Sequence, residues 1–190
     1  MKTKRVLGDL IDVGDTGTLL INDTWVGLSP IAPTTACYRL QRGPRGNLRG
    51  TGWFSIVGTE HRVIDVAASA SVSNAFFEAI AKAPIRPGAY EPEESWTDDY
   101  PSIEVVLHLG PHATTTGVAF LFTKSQGEFH APWGACIDGE LWTLPDKTVG
   151  RALASLYGPL RRATLGGLVK PSPAPRRTQK AQRVARRLRA

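Results

Sequence analysis

The chain has 190 residues, of which 42% are hydrophobic and 21% charged, with a formal net charge of +6. This balance fits one globular domain with ample core and excludes a wholly disordered chain. No apolar run approaches the roughly 20 residues of a membrane helix, Val6-Leu7-Gly8 stops at Asp9 well short of a secretory h-region, and Cys37 and Cys136 alone make no disulfide framework; a cytoplasmic protein with no membrane attachment is expected.

In chain order, residues 19–28 are apolar and rich in strand formers, and read as a strand broken near Asn22-Asp23. Residues 35–41 alternate, with Cys37 and Arg39 on one side and Tyr38 and Leu40 on the other. Gly43-Pro44-Arg45-Gly46-Asn47 is turn chemistry, because Gly and Asn accept positive φ and Pro fixes its own. Residues 48–57 return, which predicts a hairpin. A further strand over 61–68 follows. Ser71 to Asn74 offer N-caps to a helix over 75–82, with Phe76, Phe77 and Ile80 at helical spacing. Residues 84–101 form a long acidic, Pro-rich loop, a feature that is often functional.

The second half predicts strands over 102–109, 116–124, 129–137 and 140–144, the last two joined at Asp138-Gly139. A helix from about 147 to 157 carries Val149, Ala152, Leu153 and Leu156 on one stripe, and Gly158-Pro159 is expected to break it. The order is two ββββα halves. Thr51-Gly52 against Thr116-Gly117, and Glu60-His61 against Glu128 and His130, give a loose internal echo. The expected class is α+β: a curved, mainly antiparallel sheet of about eight strands with two main helices on one face. Residues 1–169 read as that single domain, and Pro171-Ser172-Pro173-Ala174-Pro175 begins a basic tail over 170–190, disordered or helical on binding.

The charge is unevenly laid out. Residues 1–169 carry 15 Lys+Arg and 17 Asp+Glu, while residues 170–190 carry Lys170, Arg176, Arg177, Lys180, Arg183, Arg186, Arg187 and Arg189 with no acid. The body is therefore mildly acidic, and the basic character lies in the tail, which suits an anionic partner. Within the body, Arg39, Arg42, Arg45 and Arg49 fall in an acid-free stretch, and Glu91, Glu93, Glu94, Asp98, Asp99 and Glu104 fall in a base-free one.

Motifs for small-molecule chemistry are missing from the sequence. The glycine-rich segment 43–50 lacks the Lys-Ser/Thr ending of a phosphate loop, and no nucleophile elbow or zinc helix occurs. His108, His112 and His130 match no metal spacing, and Cys37 and Cys136 read as buried thiols. No metal or cofactor is expected.

Arg42, Arg45 and Arg49 sit at a hairpin tip beside Trp53 and Phe54. Arginine forks match phosphate oxygens, glycine lets a backbone approach, and aromatics stack on unpaired bases. The hairpin, with Arg176, Arg177, Lys180, Arg183, Arg186, Arg187 and Arg189 of the tail, implies a non-enzymatic protein that contacts nucleic-acid phosphates. RNA is favoured over DNA and no sequence specificity is implied, since no base-reading helix is visible. A second reading is a protein-interaction subunit that meets partners through Glu93, Glu94, Trp96, Asp98, Asp99 and Tyr100, with the tail on an acidic protein surface. A third is an enzyme that brings His61, His108 or His130 together with Asp98, Asp99 or Glu128.

Overall fold

A computed structural model describes residues 5–25, 34–56, 62–88, 102–110, 117–125, 128–130, 135–144 and 147–166. After two single-turn 3-10 helices, Leu7–Asp9 and Val13–Asp15, come β1 (Thr16–Trp25), β2 (Thr34–Arg42), β3 (Leu48–Ile56), β4 (Arg62–Ala68) and α1 (Ala70–Ala81). The second half holds β5 (Arg86–Pro87), β6 (Ser102–Leu109), β7 (Gly117–Ser125), β8 (Glu128–His130), β9 (Ala135–Ile137), β10 (Glu140–Thr143) and α2 (Thr148–Gly166). The strands form one open sheet in the order β4-β3-β2-β1-β6-β7-β9-β10-β5, with β8 beside β7. Every pairing between these strands is antiparallel. The α+β class and the antiparallel sheet follow the reading of the sequence, and the first half is the expected ββββα run, but the second half sets six strands, not four, before its helix.

Two meanders meet back to back at β1 and β6. In topology, an approximate twofold axis through the Ile21↔Val105 pair relates them: β1 answers to β6, β2 to β7, β3 to β8 with β9, β4 to β10, and α1 to α2. One cross-strand row makes the relation concrete. Outward from the axis it reads Ile21, Tyr38, Gly52, Ile64 on one side and Val105, Phe120, Ala135, Trp142 on the other. Each half thus sets a large aromatic beside a small residue, so that the rings have room. The Thr51-Gly52 and Thr116-Gly117 echo does not follow this relation, since Gly52 lies in a third strand and Gly117 opens a second one. Glu60-His61 lies outside the described residues.

The core occupies one face of the sheet. Leu19, Ile21, Tyr38, Leu40, Ile103, Val105, Leu107 and Phe120 alternate with outward residues along their strands, as a half-buried strand requires. Both helices cover this face. Tyr157 of α2 meets the Tyr38 ring edge-on at 5.7 Å, and Phe77 of α1 lies under the guanidinium of Arg42, at the end of β2. One hydrophobic cluster runs from Leu7 through to Leu160.

Three local expectations change. β1 runs unbroken through Asn22-Asp23, because both side chains find partners: Asn22 Nδ2 donates to Glu104 at 2.9 Å, and Asp23 accepts from the Tyr157 hydroxyl. α1 starts at Ala70 rather than 75, since Ser69 Oγ accepts from Val72 N and caps it, which puts Ser71 to Asn74 inside the helix. α2 passes through Pro159. A proline inside a helix costs about 3 kcal/mol. Burying Leu156, Tyr157 and Leu160 around it returns about 1.5–3 kcal/mol each, so packing outweighs the break. The strand expected over 129–137 appears as β8 and β9, and residues 131–134 between them lie outside the described ones.

Ser73 is fully buried in α1, and its Oγ has no hydrogen-bond partner. A buried hydroxyl without a partner carries a desolvation cost, and Ala is the better helix former. Ser73→Ala is therefore expected to raise stability by about 1 kcal/mol. A denaturant titration showing a lower midpoint for the variant would refute this.

Candidate nucleic-acid interface

The hairpin between β2 and β3 turns as its composition requires. Gly43 N donates to Asn47 O at 2.8 Å, Gly46 N donates to Gly43 O at 2.9 Å, and Gly46 has φ 78°. A side chain at Gly46 would be strained by that φ and would also meet Asn74 Oδ1. The second tight turn is similar, with Asp138 at φ 50° and Gly139 at φ 82°.

The three hairpin arginines part company. Arg42 points to the helix face. Its Nη1 donates to Gly14 O at 3.1 Å and Val13 O at 3.4 Å, its Nη2 donates to Asn74 Oδ1 at 3.4 Å, and its guanidinium stacks 4.5 Å from the Phe77 ring centre. It clamps the hairpin to the body. Arg45 at the tip and Arg49 on β3 are exposed. Alternation along the strand carried this distinction: Arg42 is two residues beyond Leu40 and so shares the core side. Two glycines of β3 are also engaged by the chain itself, Gly50 beside Arg49 and Gly52 beside Thr51. A Cβ on Gly50 would lie 1.9 Å from Arg39 O, and one on Gly52 would lie 3.0 Å from the Tyr38 ring.

The other face of the sheet carries neither helix. On it, Arg39 of β2 stands opposite Thr51 of β3, and Thr51 opposite Asp65 of β4. The neighbouring rows hold Gln41 opposite Arg49, and Cys37 opposite Trp53. Arg39, Gln41, Arg49 and Thr51 are exposed, and Trp53 is partly buried. Phe54 is buried on the helix side, so only one of the two hairpin aromatics faces outward. Arg39 was not among the site residues expected from sequence, although the alternation of Cys37, Arg39 and Gln41 marks its face. Further along this face lie Val106, Ala119, Cys136 and the half-exposed Leu141.

Cys37 and Cys136 lie on β2 and β9, four strand spacings apart or roughly 19 Å, too far for a disulfide. Burial, and secondarily Asp23, pushes the Cys37 thiol up, opposite to what a nucleophile needs. Among the described residues no group of three His, Cys, Asp or Glu is placed to hold a metal. His61, His112, Asp98 and Asp99 lie outside the described residues, as do Glu93, Glu94, Trp96 and Tyr100 of the acidic loop and Arg176, Arg177, Lys180, Arg183, Arg186, Arg187 and Arg189 of the tail. No helix among the described residues is long and apolar enough to cross a membrane. No family model, curated protein or solved structure matches the chain.

Proposed function

We propose that this chain is a non-enzymatic nucleic-acid-associated protein that contacts phosphates through Arg45 and Arg49 of the β2–β3 hairpin and through the basic residues of 170–190, with RNA favoured over DNA. The observation that supports it most is the division of the hairpin arginines. Arg42 is held by Val13 O, Gly14 O and Asn74, while Arg45 and Arg49 are exposed on the same hairpin. Arg42 thus holds the hairpin in place, and the other two guanidinium forks are presented to an anionic ligand.

Phosphate contacts release counterions, so affinity falls with salt at a log–log slope of about −0.7 to −0.9 per contact. An anisotropy titration of a labelled RNA at several salt concentrations reads this slope for the full chain. Replacing Arg176, Arg177, Arg183, Arg186, Arg187 and Arg189 by serine is expected to make the slope shallower by several units, and Arg45→Gln with Arg49→Gln by about one to two. Absence of RNA and DNA binding by the unaltered chain would overturn the proposal.

A further inference from the structure

The helix-free side of the β2–β3 hairpin carries a strip that the arginine motif alone does not reveal. Residues 49, 51 and 53 alternate onto one face of β3, and 37, 39 and 41 onto the same face of β2. Arg49 and Trp53 are therefore about 13 Å apart along the strand, with Arg39 and Thr51 between them. Arg39 is a diagonal neighbour of Trp53 across the pair, within reach of a long side chain. Arg45 extends the strip past the end of β3 to the hairpin tip.

Charge on this strip is one-sided. Arg39, Arg45 and Arg49 are exposed, and the described acid flanking them is Asp65, which lies on β4 beyond Thr51. Farther along this face, Glu104 of β6 already accepts a hydrogen bond from Asn22. A basic track with an aromatic at one end is the arrangement that takes a single-stranded nucleic acid: guanidinium groups follow the phosphates, and a base lies on the ring. A duplex hides its base faces and gains nothing from the tryptophan.

We infer that the face of the β2–β3 hairpin formed by Arg39, Arg45, Arg49, Thr51 and Trp53 binds single-stranded RNA, with phosphates on the arginines and a base on the Trp53 indole. This inference rests on the nucleic-acid reading above and specifies the ligand and the surface. Arg39 joins the site, and Arg42 leaves it. Thr51 offers a hydroxyl, suited to a ribose 2′-OH or a phosphate oxygen.

The test uses the full chain in anisotropy titrations against a labelled oligouridylate about 12 nucleotides long, the same length of RNA duplex, and polyglutamate as a competitor. The single strand is expected to bind about tenfold or more tightly than the duplex, and polyglutamate to compete weakly. Arg39→Gln with Arg49→Gln is expected to cost tenfold or more, and Trp53→Ala about tenfold, with Trp53→Phe restoring most of the loss. The arginine pair is solvent-exposed, so its variant keeps the proposal testable if Trp53→Ala fails to fold. Equal affinity for duplex and single strand, together with unchanged binding by the arginine variant, would overturn the strip. If those hold while serine replacement of the tail arginines abolishes binding, the nucleic-acid reading stands and the strip alone falls. Equal competition by polyglutamate would point to an acidic protein surface instead and overturn the RNA assignment. Loss of all binding by the unaltered chain would remove both.

Discussion

Gly50→Ala is expected to cost the protein about 3 kcal/mol, a fall in Tm of roughly 6–12 °C for a chain of this size. The backbone at Gly50 does not need left-handed geometry, so the penalty is one of space. A Cβ there would sit 1.9 Å from Arg39 O and 2.9 Å from the Leu40 Cα, both backbone atoms of the paired strand. A flexible side chain would rotate aside, but a hydrogen-bonded strand has no such freedom. β2 or β3 must shift, and with them the fully buried Leu40 and Leu48. Without the clash, Gly→Ala would stabilise by about 0.4–1 kcal/mol through the unfolded chain, so the sign of the change is diagnostic. Calorimetry of the two proteins side by side gives the answer, and an unchanged or raised Tm would show that the strands approach each other less closely at this point.

The fold was largely legible because its face pattern is written at period two. Leu19 and Ile21, Tyr38 and Leu40, and Ile103, Val105 and Leu107 alternate with outward residues, and each set is buried. The misreadings come from side chains whose local preference lost to distant partners. Asn22-Asp23 looks like a turn until Glu104 and Tyr157, far along the chain, take up its polar groups. Pro159 looks like a helix end until the buried stripe on both sides of it is counted. Register was not legible either. The echo between Thr51-Gly52 and Thr116-Gly117 compares a third strand with a second, whereas the true counterparts in the core row, Gly52 and Ala135, share only small size.

The candidate site was legible in part. Composition marked the arginine hairpin, but composition treats Arg42, Arg45 and Arg49 alike, and only side-chain direction separates them. That direction follows from counting by twos from Leu40, which sends Arg42 to the core and Arg39 with Gln41 to the open face. The glycines illustrate the opposite failure. Glycine beside arginine suggests room for a ligand, yet Gly50 gives that room to Arg39 O, as Gly52 farther along β3 gives it to the Tyr38 ring. No pattern in a single sequence tells a glycine spared for a ligand from one spared for a neighbouring strand.

Alkaline unfolding should expose the polar link that ties α2 to the sheet. Tyr157 is nearly fully buried, its hydroxyl donates to Asp23, and its ring meets the Tyr38 ring at 87°. Tyr38 continues the chain to Thr164 over 3.0 Å. The single proton of Thr164 Oγ1 goes to Arg161 O at 2.8 Å, so Tyr38 is the donor in that bond. Burial, followed by the Asp23 carboxylate, pushes the Tyr157 hydroxyl well above its ordinary value, and burial does the same for Tyr38. A group whose folded-state pKa is raised contributes stability that is complete below its unfolded value, about 10 for tyrosine, and is lost as pH rises beyond it. Stability should therefore be flat in this respect through neutrality and fall above about pH 10. Tyr157→Phe keeps the ring contact and removes only the hydroxyl. It is expected to cost about 2 kcal/mol at neutral pH, the scale of a hydrogen bond to a charged group, and to make the alkaline decline shallower. Asp23 is partly exposed and regains water in the variant, which keeps the cost from rising further. Urea midpoints measured from neutral pH to beyond pH 10 for both proteins test the two effects separately. A variant as stable as the parent at neutral pH would remove the Asp23 bond from the account. An equally steep alkaline decline in both would show that another group governs it.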